Sequence, residues 1–254
     1  MAHISRRKFL SLGALALPAA MGADAYLLAR TQLRVAKFEA RPGGTCRFVQ
    51  FSDLHYNGDS RYASQVVQTI NDLDPEFVCF TGDLIEDKIF LPEALSFIRQ
   101  INAPVYGVPG NHDYWSRAPF ADYDRAFAAT GGAWLVDRSV VLPQLDLELV
   151  GMGYIGIHAF KSCQADRRIL LMHYPAMADR LGTNFDLILS GHSHGGQIRL
   201  PFYGPLLIPD GVGRYDLGFF ETPSGPLYVN AGIGTLSTIP FRWNCRPEIT
   251  VITL

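Results

Sequence analysis

Five of the seven histidines in this chain fall within one ordered series of short segments. The series runs Asp53-Leu54-His55, Gly82-Asp83, Gly110-Asn111-His112-Asp113, His173 and Gly191-His192-Ser193-His194. Imidazoles, carboxylates and an amide oxygen are the donors of a two-metal site for Mn, Fe or Zn. Two such ions held close together suit hydrolysis of a phosphoester. Taken singly, most segments say little: Asp-x-His and Gly-Asp recur by chance, and a lone histidine such as His173 is more often a hydrogen-bonded core residue. Gly110-Asn111-His112-Asp113 says more, because glycine frees the backbone where three polar side chains crowd together. Gly191-His192-Ser193-His194-Gly195-Gly196 places two imidazoles on one glycine-flanked loop.

The elements that must position these groups are short. Apolar runs predict strands over 47–52, 76–81, 105–108, 139–142, 145–151, 169–172, 187–190, 227–230 and 249–254. Amphipathic stretches over 62–73, 92–101, 120–129 and 175–181 predict helices; Val66, Val67, Ile70 and Leu73 already show the helical spacing. Alternation of the two argues for an α/β domain with much parallel pairing. Residues 136–151 hold strands with no helix between them, so part of a sheet is expected to be antiparallel. Each motif begins just after a strand. Ligands of α/β sheets gather beyond the carboxyl ends of strands, so the five segments are expected to meet at one rim.

Length and composition limit the alternatives. The 254 residues fit one large domain, and 48% hydrophobic with 18% charged residues gives a deep core and argues against disorder. With 22 basic and 24 acidic residues, nothing marks nucleic acid as a partner. Cys46, Cys79, Cys163 and Cys245 are scattered without a CxxC spacing, which argues against a zinc knuckle.

The N-terminus carries a second signal. Ser5-Arg6-Arg7-Lys8-Phe9-Leu10 precedes an apolar run over 12–23, the order of an export signal. Arg6-Arg7 followed by Phe9-Leu10 resembles a twin-arginine signal, which makes the twin-arginine export machinery an expected partner. Ala23-Asp24-Ala25 offers a cleavage site, while residues 12–29 are long enough to stay as a membrane anchor despite Asp24. The expected organisation is a signal or anchor over 1–30, a linker or lead-in strand over 31–44, and a catalytic domain over 45–254. The expected location is the periplasmic side of the inner membrane, exported or attached. A peripheral apolar helix on the cytoplasmic face is the alternative.

The ordered motif set resembles the calcineurin-like metallophosphoesterase superfamily, whose pattern is D-x-H, G-D, G-N-H-[DE], H and G-H-x-H. Every element is present between Asp53 and His194. The resemblance implies an α/β fold, a four-layer α-β-β-α sandwich of two mixed sheets. It implies Asp53, His55 and His194 on a first metal ion, Asn111, His173 and His192 on a second, and Asp83 bridging them. The cofactors implied are two divalent ions, Mn, Fe, Zn or Co, with Mn favoured. The implied activity is hydrolysis of a phosphoric ester or diphosphate by a hydroxide held between the ions. The chemistry agrees: one carboxylate can offer an oxygen to each ion, and coordination lowers the pKa of water towards neutrality. His112 resembles the family's histidine that is not a ligand, and is assigned to protonating the leaving group or stabilising phosphoryl charge. Asp113 has two readings, orienting His112 or capping the segment that follows. The rival class is a metal-binding module without catalysis, which would be expected to lack ligands; here none is missing.

The substrate must be read from the surrounding loops. Leu200-Pro201-Phe202-Tyr203-Gly204-Pro205-Leu206-Leu207-Ile208-Pro209 is unusually apolar for a loop, and Tyr114-Trp115, Phe219-Phe220 and Ile239-Pro240-Phe241-Arg242-Trp243 add aromatic weight. One reading is a rim that meets acyl chains or a membrane surface; the other is ordinary cover for a sheet. His194-Gly195-Gly196-Gln197, the proline-rich run, Gly232-Ile233-Gly234 and Arg246-Pro247-Glu248-Ile249 are similar to a bacterial subgroup of the superfamily. That subgroup includes twin-arginine-exported phosphoesterases and enzymes resembling UDP-2,3-diacylglucosamine pyrophosphatase of lipid A synthesis. Arg242 or Arg199 is a candidate phosphate donor or an ordinary surface charge. The two halves of this subgroup conflict, since lipid A precursors are made on the cytoplasmic face and a twin-arginine signal delivers the domain outside.

Overall fold

Along β2 (Arg47–Phe51) successive side chains point to opposite faces, and the sequence uses both. Phe48 enters one core, Val49 and Phe51 another. β3 (Val78–Phe80) repeats the division, with Cys79 on the first side and Val78 and Phe80 on the second. Strands apolar on both faces must be covered on both, which is why these runs are continuous rather than alternating.

The structure is a computed structural model that describes residue 29 and residues 31–153 and 164–254. The signal or anchor expected over 1–30 lies outside the described residues except for Ala29, as do His3, His158 and Cys163. With β1 (Arg34–Glu39), β4 (Val105–Gly107), β5 (Ala133–Trp134) and β14 (Glu248–Thr253), the first sheet has the order β1-β14-β2-β3-β4-β5. Only the β14–β2 pair in it is antiparallel. The second sheet contains β6 (Arg138–Leu142), β7 (Leu147–Gly151), β8 (Arg167–Leu171), β9 (Leu187–Ser190), β12 (Gly218–Thr222) and β13 (Gly225–Val229). Its order is β12-β13-β9-β8-β7-β6, parallel in the middle and antiparallel at both edges. β10 (Arg199–Leu200) and β11 (Gly204–Pro205) form a separate hairpin.

The inner faces meet in a core built on Phe48, Phe77, Leu149, Ile169, Leu189 and Ile252. Gln50 crosses this layer, its Nε2 donating to Thr81 Oγ1 at 3.2 Å and to the Ser190 carbonyl at 3.0 Å. Helices α1 (Ser60–Asp72), α2 (Leu91–Ile98) and α4 (Phe120–Ala128) cover the outer face of the first sheet. α1 starts where the Asp59 carboxylate accepts from Tyr62 N at 3.1 Å, and it buries Ala63, Val66, Val67 and Ile70. Each such branched side chain stabilises the domain by roughly 1.5–3 kcal/mol when fully buried. A short helix α3 (Asn111–Trp115) belongs to the site.

The two large mixed sheets are those the resemblance implied, and among the described residues the second is covered by short segments. Leu170, Ile188, Leu227 and Val229 on the outer face of the second sheet meet Ala178, Leu181, Phe185 and Tyr215. The helix expected over 175–181 is instead a 3-10 segment, Pro175–Asp179, which stops short of the left-handed Gly182. The segment expected as linker or lead-in strand contains β1, paired in parallel with β14, so the sheet begins before Cys46. Ala36 is the only buried residue in this edge strand, which leaves it little apolar signal. No helix among the described residues is long and apolar enough to cross a membrane.

Candidate metal centre

All five motif segments leave the carboxyl ends of strands, and three of them turn through left-handed backbone. Asp53, His55, Asp83, His192 and His194 have φ of 54°, 45°, 61°, 68° and 49°. Left-handed backbone at a residue other than glycine costs of order 1–3 kcal/mol each, so the surroundings must hold it. Asp53 N donates to the Gly82 carbonyl at 2.8 Å and His55 N to the Asp83 carbonyl at 3.1 Å. His192 N reaches both Asp53 carboxylate oxygens at 3.1 Å. Gly110 is required by close approach: a Cβ there would lie 2.1 Å from Asp83 Oδ1. At Gly191 it would lie 1.9 Å from Ser52 Oγ.

These turns bring together donors far apart in sequence. Asp53, His55 and His194 form one group and Asp83, His173 and His192 another, each with ligand atoms within 4.8 Å of one another. Asn111 joins the second group, its Oδ1 3.1 Å from His173 Nε2. Asp83 lies between the groups, with Oδ2 3.5 Å from His55 Nε2 and 3.2 Å from His173 Nε2. All seven side chains are buried. His112 is more open and falls in a third group with His55 and Asp83.

The outer bonds of the rings decide whether a cation fits. His173 Nδ1 faces the Thr81 carbonyl at 2.7 Å, and His192 Nε2 faces the Asp210 carbonyl at 2.8 Å. A carbonyl only accepts, so each ring carries its proton on that outer nitrogen and turns a lone pair inward. His173 Nε2 and His192 Nδ1 then stand 3.2 Å apart, with Asn111 Oδ1 and Asp83 Oδ2 beside them. Four acceptors aimed at one space repel unless positive charge lies between them. The donor set, nitrogen and oxygen without thiolate, fits divalent Mn, Fe, Zn or Co. The Cys245 thiol donates to the His194 carbonyl instead.

The electrostatics agree. Burial works to raise the Asp83 carboxyl, but His173, His55 and His112 outweigh it and hold it well below the usual carboxylate range. Burial works to lower His173, yet Asp83 and Asp53 push it up to about 9. Burial and His173 push His192 down to about 3. The field that favours a proton on His173 favours a divalent ion in its place.

Two expectations about the surrounding residues change. The carboxylate on His112 is Glu86: its Oε2 lies 3.2 Å from His112 Nδ1 and 2.8 Å from His55 Nδ1. Asp113 instead accepts from the backbone N–H groups of Asp83, Leu84 and Gly110 and from the Tyr123 hydroxyl, at 2.8–3.0 Å. It ties two motif loops together, closer to the capping reading than to the orienting one. Neither arginine offered as a phosphate donor is placed for it. Arg242 is fully buried, donating to the carbonyls of Gly234 and Ala231, with its Nη2 3.4 Å from His194 Nδ1. Arg199 pairs with Asp216 at 2.7 Å. Glu86 was missed because its only sequence signal is a place three residues after Asp83.

Two mainly apolar clefts open beside the cluster. One, of about 680 Å³, runs from His192 between Trp115, Tyr174, Met177 and Pro209. The Tyr174 ring centroid is 4.3 Å from that of His192, and the Trp115 centroid 5.0 Å from that of His112. The other, of about 190 Å³, runs from His194 between Leu207, Ile208, Leu236 and Ile239.

Comparison with known proteins agrees with this geometry. The chain is 34% identical to an uncharacterized metallophosphoesterase, YkuE of Bacillus subtilis, over 100% of this chain and 99% of that one. It is 28% identical to the phosphodiesterase YaeI of Escherichia coli, over 99% of each chain. It is 27% identical to the UDP-2,3-diacylglucosamine pyrophosphatase LpxG of Chlamydia trachomatis, over 81% of this chain and 82% of that one. Residues 46–196, which carry every donor described above, match the model of the calcineurin-like phosphoesterases, and the chain belongs to that family of metal-dependent hydrolases.

Proposed function

We propose that the protein is a two-metal phosphodiesterase or pyrophosphatase acting on a lipid-linked phosphoester, with UDP-2,3-diacylglucosamine the first candidate. The observation that carries this reading is the cleft of about 680 Å³ that runs from His192 along Trp115, Tyr174 and Met177. A polar, ion-binding end joined to an apolar channel suits a phosphoester joined to an acyl group or a base.

Asp53, His55 and His194 would hold one ion, Asn111, His173 and His192 the other, and Asp83 both. Such ions, when bound, lower the pKa of water and draw charge from phosphoryl oxygens. The remaining work falls to the chain. Asp83 keeps the two donor groups in register and accepts from His112 N at 2.7 Å through its other oxygen. Glu86 holds His112 by Nδ1, which leaves Nε2 to give a proton to the leaving oxygen. Trp115 and Tyr174 stand beside His112 and His192 and would line the path of the leaving group.

A second reading, an exported envelope phosphodiesterase of broad specificity, draws on Arg6-Arg7 and the apolar run after it. It would place the protein on the periplasmic side. One assay separates the two: hydrolysis of UDP-2,3-diacylglucosamine and of bis(p-nitrophenyl) phosphate by the Mn-loaded protein, with Asp83→Asn as control. Release of UMP, lost in the variant, supports the lipid-linked reading. Cleavage of the simple diester alone rejects it in favour of the second.

A further inference from the structure

We propose that the β10–β11 hairpin and the loop after it are a membrane-insertion surface, which seats this rim of the protein on an anionic lipid bilayer. Six of the ten exposed large apolar side chains among the described residues lie between residues 200 and 208. Phe202 is fully exposed, Tyr203 and Leu207 largely so, and Leu200, Leu206 and Ile208 follow. Monomeric proteins rarely display so contiguous an apolar patch without a use for it.

The patch is displayed by a polar, well-bonded base. Tyr203 N donates to the Leu200 carbonyl at 3.3 Å and Leu206 N to the Ile198 carbonyl at 3.0 Å. Arg199 binds Asp216 and the Gly195 carbonyl, and Asn244 Nδ2 donates to the Arg199 carbonyl at 3.2 Å. The base thus satisfies its own polar groups and leaves the tip with apolar side chains alone. Tyr203 adds a ring with a polar end, the side chain that favours the interface between lipid and water.

The charge beside the hairpin points to a bilayer as the occupant. A cleft of about 510 Å³ behind the hairpin is lined by three arginines, Arg34, Arg199 and Arg246, against one carboxylate, the buried Glu248, together with Pro201 and Ala29. Arg34 and Arg246 are exposed and form no ion pair among the described residues, so positive charge flanks the apolar tip. Ala29 lines the same cleft, beside Pro201 of the hairpin. An apolar tip flanked by arginines matches acyl chains under anionic headgroups. Pro209 borders both catalytic clefts, so seating the hairpin brings their mouths to the lipid surface. The inference does not depend on which phosphoester is cleaved.

The test places a tryptophan at the tip of the full chain, Phe202→Trp, and another in the β6–β7 turn, Gln144→Trp, at the opposite ends of the strands. Each is mixed with vesicles of phosphatidylethanolamine and phosphatidylglycerol whose acyl chains carry bromine. The Phe202→Trp emission should shift to the blue and lose about half or more of the added intensity, as expected about 5–10 Å below the headgroups. The Gln144→Trp emission should stay unchanged. Leu206→Trp repeats the reading at a second point of the patch. Emission at 202 and 206 that vesicles leave unchanged overturns the proposal, as does a shift that follows protein concentration alone and so assigns the tip to a second copy of the chain. Hydrolysis of bis(p-nitrophenyl) phosphate by the same variants reports the catalytic centre separately.

Discussion

The donor loops and the β10–β11 hairpin lie on the same rim, yet they are built in opposite ways. Around Asp53, Asp83 and His192 the backbone is strained, the side chains are buried, and outer partners such as Thr81, Asp210 and Glu86 fix each ring. Around Phe202 the backbone is left-handed too, with φ of 66° at Phe202, but its bonds are local and the side chains stand exposed without partners of their own. The first region can do one chemistry and tolerates little change. The second can vary without touching that chemistry, so it is where a substrate or a surface is chosen.

The sharpest way to break the comparison is Asp83→Asn. It removes the charge shared by both donor groups, and hydrolysis of bis(p-nitrophenyl) phosphate should fall to background while the Phe202→Ser variant keeps full rate. Next comes His112→Ala, which leaves both donor groups intact. Turnover should drop by the 10²–10⁴-fold typical of a lost general acid, about 3–5 kcal/mol of barrier, with metal content unchanged. Metal loss in that variant would make His112 a ligand. Glu86→Gln keeps the shape but weakens the hold on His55 and His112, and a loss of about 10–100-fold in metal affinity or turnover is expected. Wild-type metal content and rate would reduce Glu86 to a bystander. The smallest effect sharpens the division: Trp115→Ala should raise KM for a lipid-linked substrate about tenfold, the loss of one well-placed aromatic wall, and leave the small diester nearly untouched. Equal losses on both substrates would put Trp115 in the chemistry.

Much of the strained region was legible in the sequence, since glycine-flanked histidines and carboxylates after apolar runs announce both the strands and the rim. Nine strand runs were placed close to where they form, because strands buried on both faces are written as continuous apolar runs. β1 is legible only as a linker or lead-in strand, since one buried residue among charged neighbours leaves little pattern, and β5 is only two residues long. Within the site, the acceptors that set the rings are carbonyls of Thr81 and Asp210, which no side chain announces. Glu86 and the exchange of roles with Asp113 depend on how a loop turns after Asp83, and Arg242 reads as a surface charge until its carbonyl cradle is seen. The apolar hairpin was visible as composition, but whether it covers a sheet or faces outward is a matter of tertiary placement.

In the proposed function two ions share Asp83, and metal content reports on that sharing without a substrate. The full chain, loaded with Mn²⁺ and freed of excess, should carry two ions by elemental analysis, and Asp83→Asn should carry fewer than one at the same free metal concentration. A single ion in the wild-type protein, or two ions retained in the variant, would contradict the account.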